Sequence, residues 1–163
     1  MRVFRGVDHA VLTVTDLDRS EEFYRGVFGF LPIMDFGHGR ILIDRPSGFS
    51  LGIARPEDGH GGPFSHLTTG LDHLGFAVET RDELVEWEDH LRSLDVEFTP
   101  IRDMEMAYHL NFRDPDNVAL ELSAPNEVYQ QARALMASDL TDSQIWDAAE
   151  QMLGPEMVAR RDR

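Results

Sequence analysis

The dipeptide Asp-His heads two apolar, strand-like runs in this chain, Asp8-His9-Ala10-Val11-Leu12-Thr13-Val14 and Asp72-His73-Leu74-Gly75-Phe76-Ala77-Val78. A second pattern also occurs twice. Arg45-Pro46-Ser47-Gly48-Phe49-Ser50-Leu51-Gly52-Ile53 aligns with Asp114-Pro115-Asp116-Asn117-Val118-Ala119-Leu120-Glu121-Leu122. His9 and His73 lie 64 positions apart and Pro46 and Pro115 lie 69 apart, so two copies of one module differ by about five inserted residues. Such a repeat can bring His9, His73 and Glu121 to one site. Two imidazoles and one carboxylate leave about three positions of an octahedral ion open, which suits a divalent metal that must also hold substrate or oxygen. The chain has no cysteine, so any metal is held by nitrogen and oxygen. Gly52 stands where module one could have supplied a fourth ligand, and its lack of a side chain leaves three.

Further candidates surround this set. Strand alternation places His109 and Asn111 on one face, and the 69-residue offset assigns Arg40 and Leu42 to the corresponding face of module one. An imidazole is the usual side chain for moving a proton, so His109 is a candidate general acid or base, with Asn111 beside it. Arg40 could hold an anionic substrate group, and Tyr108 on the same strand as His109 is a second substrate-contact candidate. His38, His60 and His66 lie in loop-like stretches and read as solvated, while Tyr24, Phe28, Trp87 and Trp146 have the helical spacing of core residues.

The elements that must position these groups follow from pattern and punctuation. Val7 to Val14 reads as a strand, Asp16 to Asp18 as helix caps, and Ser20 to Phe28 as a helix stopped by Gly29. Strands follow near Leu31 to Phe36, Gly39 to Asp44 and Phe49 to Ala54. After the glycine- and histidine-rich linker Pro56 to Pro63, the order repeats. There is a strand from His73 to Val78, a helix opened by a Thr80/Glu83 capping box, then strands near Val96 to Ile101, Ala107 to Phe112 and Val118 to Ser123. Each copy reads β-α-β-β-β. From Pro125 the pattern is helical only, with one amphipathic stripe through Val128, Leu135 and Met136. A second runs through Ile145, Ala149, Met152 and Leu153, opened by Thr141/Gln144 and closed by Gly154-Pro155. This tail is expected to pack on the sheet or across a dimer.

Composition bounds the partners. With 163 residues, 42% hydrophobic and 28% charged, the chain is long enough for a proper core, whereas a module of about 60 residues must pack on something. No apolar run approaches the roughly 18 residues of a membrane span. A formal charge of −15 repels nucleic-acid phosphates and anionic lipid, so neither nucleic acid nor membrane is an expected partner. The N-terminus runs into the first strand with no apolar targeting core, and a cytoplasmic location is expected.

The tandem β-α-β-β-β pattern, the paired Asp-His strand starts and the run Phe112-Arg113-Asp114-Pro115-Asp116-Asn117-Val118-Ala119-Leu120-Glu121-Leu122 together resemble the vicinal oxygen chelate superfamily, the glyoxalase, bleomycin-resistance and extradiol dioxygenase group. The resemblance implies an α+β fold in which tandem modules form a cup-shaped mixed sheet, over residues 4–124 (modules 4–56 and 70–124, linker 57–69), with a helical extension at 125–163. It also implies that His9, His73 and Glu121 are the metal ligands, in a cup built from one chain or from swapped halves of a homodimer. A dimer is expected, with a small molecule as substrate. Glyoxalase I members carry a fourth ligand where this chain has Gly52. The extradiol pattern has a tyrosine ten residues before the glutamate, where Asn111 stands, with Tyr108 out of register. The fosfomycin-modifying enzymes have a basic loop where Asp103-Met104-Glu105-Met106 is acidic. The resulting expectation is a divalent-metal enzyme, with Fe(II) ahead of Mn, Ni or Zn, and dioxygenase-like chemistry slightly ahead of lyase, isomerase or thiol-transferase chemistry. The alternative is a metal-free protein that sequesters a drug or metabolite, as bleomycin-resistance members do.

Overall fold

The computed structural model describes residues 6–158, so the expected domain start at residue 4 and the last residues of the tail lie outside it. Each repeat forms its own four-stranded mixed sheet. In the first, β1 (His9–Thr13) runs parallel to β4 (Ser50–Ala54), which pairs antiparallel with β3 (Gly39–Ile43), which in turn pairs with β2 (Leu31–Asp35), giving the order β1-β4-β3-β2. The second repeats this order as β5-β8-β7-β6, with β5 (Leu74–Ala77), β6 (Arg102–Asp103), β7 (Ala107–Arg113) and β8 (Ala119–Pro125). The fold is α+β, as expected, and both sheets are open.

Helix α1 (Leu17–Phe28) begins where Asp16 accepts hydrogen bonds from the backbone N–H of Asp18 and Arg19. It ends at Gly29, whose φ of 70° is the left-handed conformation that glycine adopts at least cost. Helix α2 (Arg81–Ser93) is capped by the Thr80 hydroxyl, which accepts from the Glu83 N–H at 3.2 Å. The expected capping box is only half formed, because the Glu83 carboxylate reaches one residue further back to the Glu79 N–H at 2.9 Å. The box expected at Thr141 and Gln144 is complete and opens α4 (Asp142–Leu153).

The two helices cover one face of their own sheets, and the core lies there as one cluster containing Leu12, Leu42, Leu51 and Ile53 of the first module and Leu84, Leu91, Leu110 and Leu122 of the second. Phe28, the last residue of α1, joins the modules by packing its ring against Phe76, Trp87 and Phe112. Polar contacts reinforce this seam. The Asp114-Pro115-Asp116-Asn117 turn reaches across to module one, where Asp116 accepts from the Thr15 N–H (2.9 Å) and the Arg19 guanidinium (2.8 Å), and Asp114 accepts from the Tyr24 hydroxyl (2.9 Å). Burial pushes both the Asp114 carboxyl and the Tyr24 phenol above their ordinary pKa values. The signature turn is thus a clamp between modules. His90, in turn, donates from Nε2 to the Val27 carbonyl at 3.0 Å, tying α2 to the end of α1.

The expected strand at Val96 to Ile101 is corrected by the structure. Only Phe98 bridges to β7, and the paired segment is displaced to Arg102–Asp103. Pro100 has no N–H to give a ladder. Thr99 holds the segment instead, its N–H donating to the Asn111 carbonyl at 2.8 Å and its hydroxyl accepting from the Asn111 N–H at 3.2 Å. The tail forms α3 (Glu127–Met136) and α4, which pack on each other, with α3 also against β8. Neither helix fully buries a residue; in the expected stripes Val128, Leu135, Ile145, Ala149, Met152 and Leu153 are half-buried and Met136 is exposed, and Trp146, expected in the core, is exposed as well.

Candidate functional site

The second face of each sheet carries no helix, and the candidate ligands lie there. On sheet two, Glu121 sits in the middle of the central strand β8, flanked by β5 and β7, with its carboxylate nearly buried. Its Oε1 lies 3.8 Å from His73 Nε2, and its Oε2 lies 2.9 Å from His109 Nδ1 and accepts from the Asn111 amide at 3.3 Å. His73, His109, Asn111 and Glu121 are therefore brought together. The carboxylate has room because its cross-strand neighbour is Gly75, where an added Cβ would stand 3.7 Å from Glu121 Oε1.

His73 is oriented from behind. Its Nδ1 bonds the Asp72 carboxylate at 2.7 Å, and that bond holds the Asp72 carboxyl below its ordinary pKa. The other nitrogen, Nε2, is thereby turned toward Glu121. A carboxylate on the far side of an imidazole fixes its tautomer and raises its basicity as a ligand. His9 repeats the arrangement, with Nδ1 2.9 Å from Asp8 Oδ2 and the ring more than half exposed. His9 projects from sheet one, however. No hydrogen bond or ion pair among the described residues joins it to His73 or Glu121, and no three histidine, aspartate or glutamate groups there form a ready metal cage.

Two substrate-contact candidates face the other way. Arg40 points to the helix side, where its guanidinium pairs with Asp18 (2.6 Å) and Glu21 (3.0 Å) of α1 and with Asp35 (3.1 Å) of β2. The reason is a register change. Ile43 pairs with Ser50, whereas Arg113 pairs with Ala119, so the turn of module one is one residue longer and the offset along β3 is 70 rather than 69. A shift of one residue turns every side chain to the opposite face. Ile41 and Gly39, not Leu42 and Arg40, are the counterparts of Asn111 and His109. Tyr108 is likewise on the helix side, opposite the buried Ala124 and beneath the Arg81 guanidinium at 5.8 Å. Both are corrected to structural positions.

Three contributors have no role in the sequence reading. Asp8 and Asp72 orient the histidines, and Gly75 makes space for Glu121. The signal for the glycine is present in the aligned repeats, where Val11 over Gly75 and Gly52 over Glu121 exchange large for small across one strand pair.

The donor set fits a divalent ion. His73 and Glu121 offer one nitrogen and one oxygen within a span that an ion with ligand bonds of about 2.0–2.2 Å can bridge, and a second oriented imidazole stands on the sister module.

The comparisons with known proteins bear on the family and the fold. No curated protein matches the chain significantly. Among solved structures, a glyoxylase/bleomycin resistance protein/dioxygenase domain from Frankia sp. EAN1pec is 30% identical with a TM-score of 0.69, covering 76% of this chain and all of that one. A point mutant of the genomically encoded fosfomycin resistance protein FosX from Listeria monocytogenes, complexed with Mn(II) and 1S,2S-dihydroxypropylphosphonic acid, is 23% identical with a TM-score of 0.63, covering 81% and 99%. A lactoylglutathione lyase from Agrobacterium tumefaciens is 20% identical with a TM-score of 0.62, covering 76% and 96%; these last two likenesses show the fold alone. A family model matches residues 6–122, almost the whole span of the two modules, and on that match the chain belongs to the Glyoxalase/Bleomycin resistance protein/Dioxygenase superfamily.

Proposed function

We propose that this protein is a divalent-metal-dependent enzyme acting on a small substrate that presents two adjacent oxygens, with His73 and Glu121 of one chain and His9 of a second chain as the metal ligands. The observation that carries the reading is the 3.8 Å approach of His73 Nε2 to Glu121 Oε1, with the far nitrogen of His73 already bonded to Asp72. His9 has the same built-in orientation on a sheet face that also exposes Val11, Leu31 and Met34. An exposed apolar sheet face of this kind marks an interface, and an isologous dimer that closes sheet one of one protomer on sheet two of its partner would complete two equivalent sites.

When bound, the metal would act as a Lewis acid toward the substrate oxygens, or as the centre that binds dioxygen if it is Fe(II). The chain's own groups do the rest. His109 holds its Nδ1 2.9 Å from Glu121 Oε2, so the carboxylate would stabilise the imidazolium formed when the ring takes a proton from substrate. Asn111 donates to Oε2, fixing the carboxylate so that Oε1 lies on the His73 side, where it would serve as a metal ligand. Fe(II) favours the dioxygenase-like reading, while Mn, Ni or Zn favours isomerase, lyase or transferase chemistry driven by proton transfer.

Anaerobic purification without a histidine tag, followed by elemental analysis beside His73→Ala, tests the proposal. Near one equivalent of Fe, Mn, Ni or Zn per chain, lost in the variant, is expected. An absence of bound metal after reconstitution with each ion would overturn it in favour of a protein that sequesters a metabolite.

A further inference from the structure

The same two positions are filled in opposite ways in the two sheets. On sheet two the cross-strand pair is Gly75 opposite Glu121, and on sheet one the register-equivalent pair is Val11 opposite Gly52. A Cβ on Gly52 would come within 3.0 and 3.3 Å of the two γ-carbons of Val11, whereas one on Gly75 would make ordinary contact with Glu121. Valine is stiff at χ1 and cannot swing aside cheaply. His9 lies two residues before Val11 on the same face of β1, just as His73 lies two before Gly75. A carboxylate grown from position 52 would therefore stand beside His9 as Glu121 stands beside His73. Val11 occupies that space.

We propose that Val11 holds the metal centre at three protein ligands by blocking a fourth from β4. This rests on the metal-site reading above and deepens it. An octahedral ion with three protein ligands keeps three positions, enough for both oxygens of a chelating substrate and one further partner such as water or dioxygen. A fourth protein ligand would leave only the two that the substrate needs.

The test compares Gly52→Glu alone with the Val11→Gly/Gly52→Glu pair, using Mn(II) as probe. The pair should bind Mn(II) at least about tenfold more tightly, and the water-proton relaxivity of the bound ion should fall by about a third as one of three waters is replaced. Gly52→Glu alone should do neither. Wild-type affinity and relaxivity in the pair, in a protein whose Mn(II) binding is still lost with Glu121→Gln, would overturn this inference while leaving the metal site intact. Should the pair fail to fold, a cycle without metal decides. Gly52→Ala should lower Tm in the wild-type background and not in the Val11→Gly background, and an equal cost in both would remove the blocking contact on which the inference stands.

Discussion

Glu121→Gln is expected to weaken divalent-metal binding by at least about 100-fold with little change in the stability of the metal-free protein. The substitution keeps the volume beside Gly75 and the packing along β8. What it changes is the donor. The single amide oxygen will be claimed by the Asn111 amide, which donates to Oε2 in the native protein, and by the His109 ring beside it. The amide nitrogen must then turn toward His73 Nε2, where it donates to the very lone pair that should hold the ion. One change thus removes an anionic ligand and occupies a neutral one. Titration with Mn(II), followed by calorimetry or by the signal of the free ion, measures the loss, and thermal unfolding without metal measures the fold. Unaltered metal affinity would remove Glu121 from the site.

Phe28→Ala is expected to destabilise the chain by about 3 kcal/mol, among the largest effects for a single truncation here. Phe28 belongs to module one, yet its ring centroid lies 4.5 Å from Phe76, 5.7 Å from Trp87 and 6.0 Å from Phe112 of module two, as well as 5.1 Å from Phe30. Truncation opens a cavity where the two modules meet, and the surrounding rings are attached to different elements and cannot collapse together. Denaturant unfolding would show the midpoint moving down. A loss below about 1 kcal/mol would mean that the aromatic seam does not hold the modules and that the Asp114 and Asp116 clamp does.

The repeat makes most of this fold legible. The Asp-His strand starts, the helix caps at Asp16 and Thr141 and the glycine stop at Gly29 each depend on local chemistry that a sequence displays. Other features depend on more than local chemistry. A strand at Val96 to Ile101 satisfies the apolar pattern but ignores what Pro100 removes from a ladder. Carrying a 69-residue offset to Arg40 passes through a turn in which module one has one residue more, and a single residue is enough to move a side chain from the open face to the helix face. Tyr108 cannot share a face with His109, because successive strand residues point opposite ways. Within the site, the grouping of His73, His109, Asn111 and Glu121 is readable because they share one sheet. The position of His9 is not, because which sheets face each other is a matter of assembly rather than of periodicity.

Shared ligands across two chains can be tested by mixing defects. If His9 of one protomer serves the His73 and Glu121 of its partner, a heterodimer of His9→Ala and Glu121→Gln chains contains one doubly damaged site and one intact site. The two chains would be co-expressed with different non-histidine tags, the heterodimer isolated through both, and bound Mn(II) counted. About one ion per heterodimer is expected, and essentially none in either parent homodimer. A heterodimer as empty as its parents would contradict it, since a site built within one chain is damaged in every protomer of the mixture.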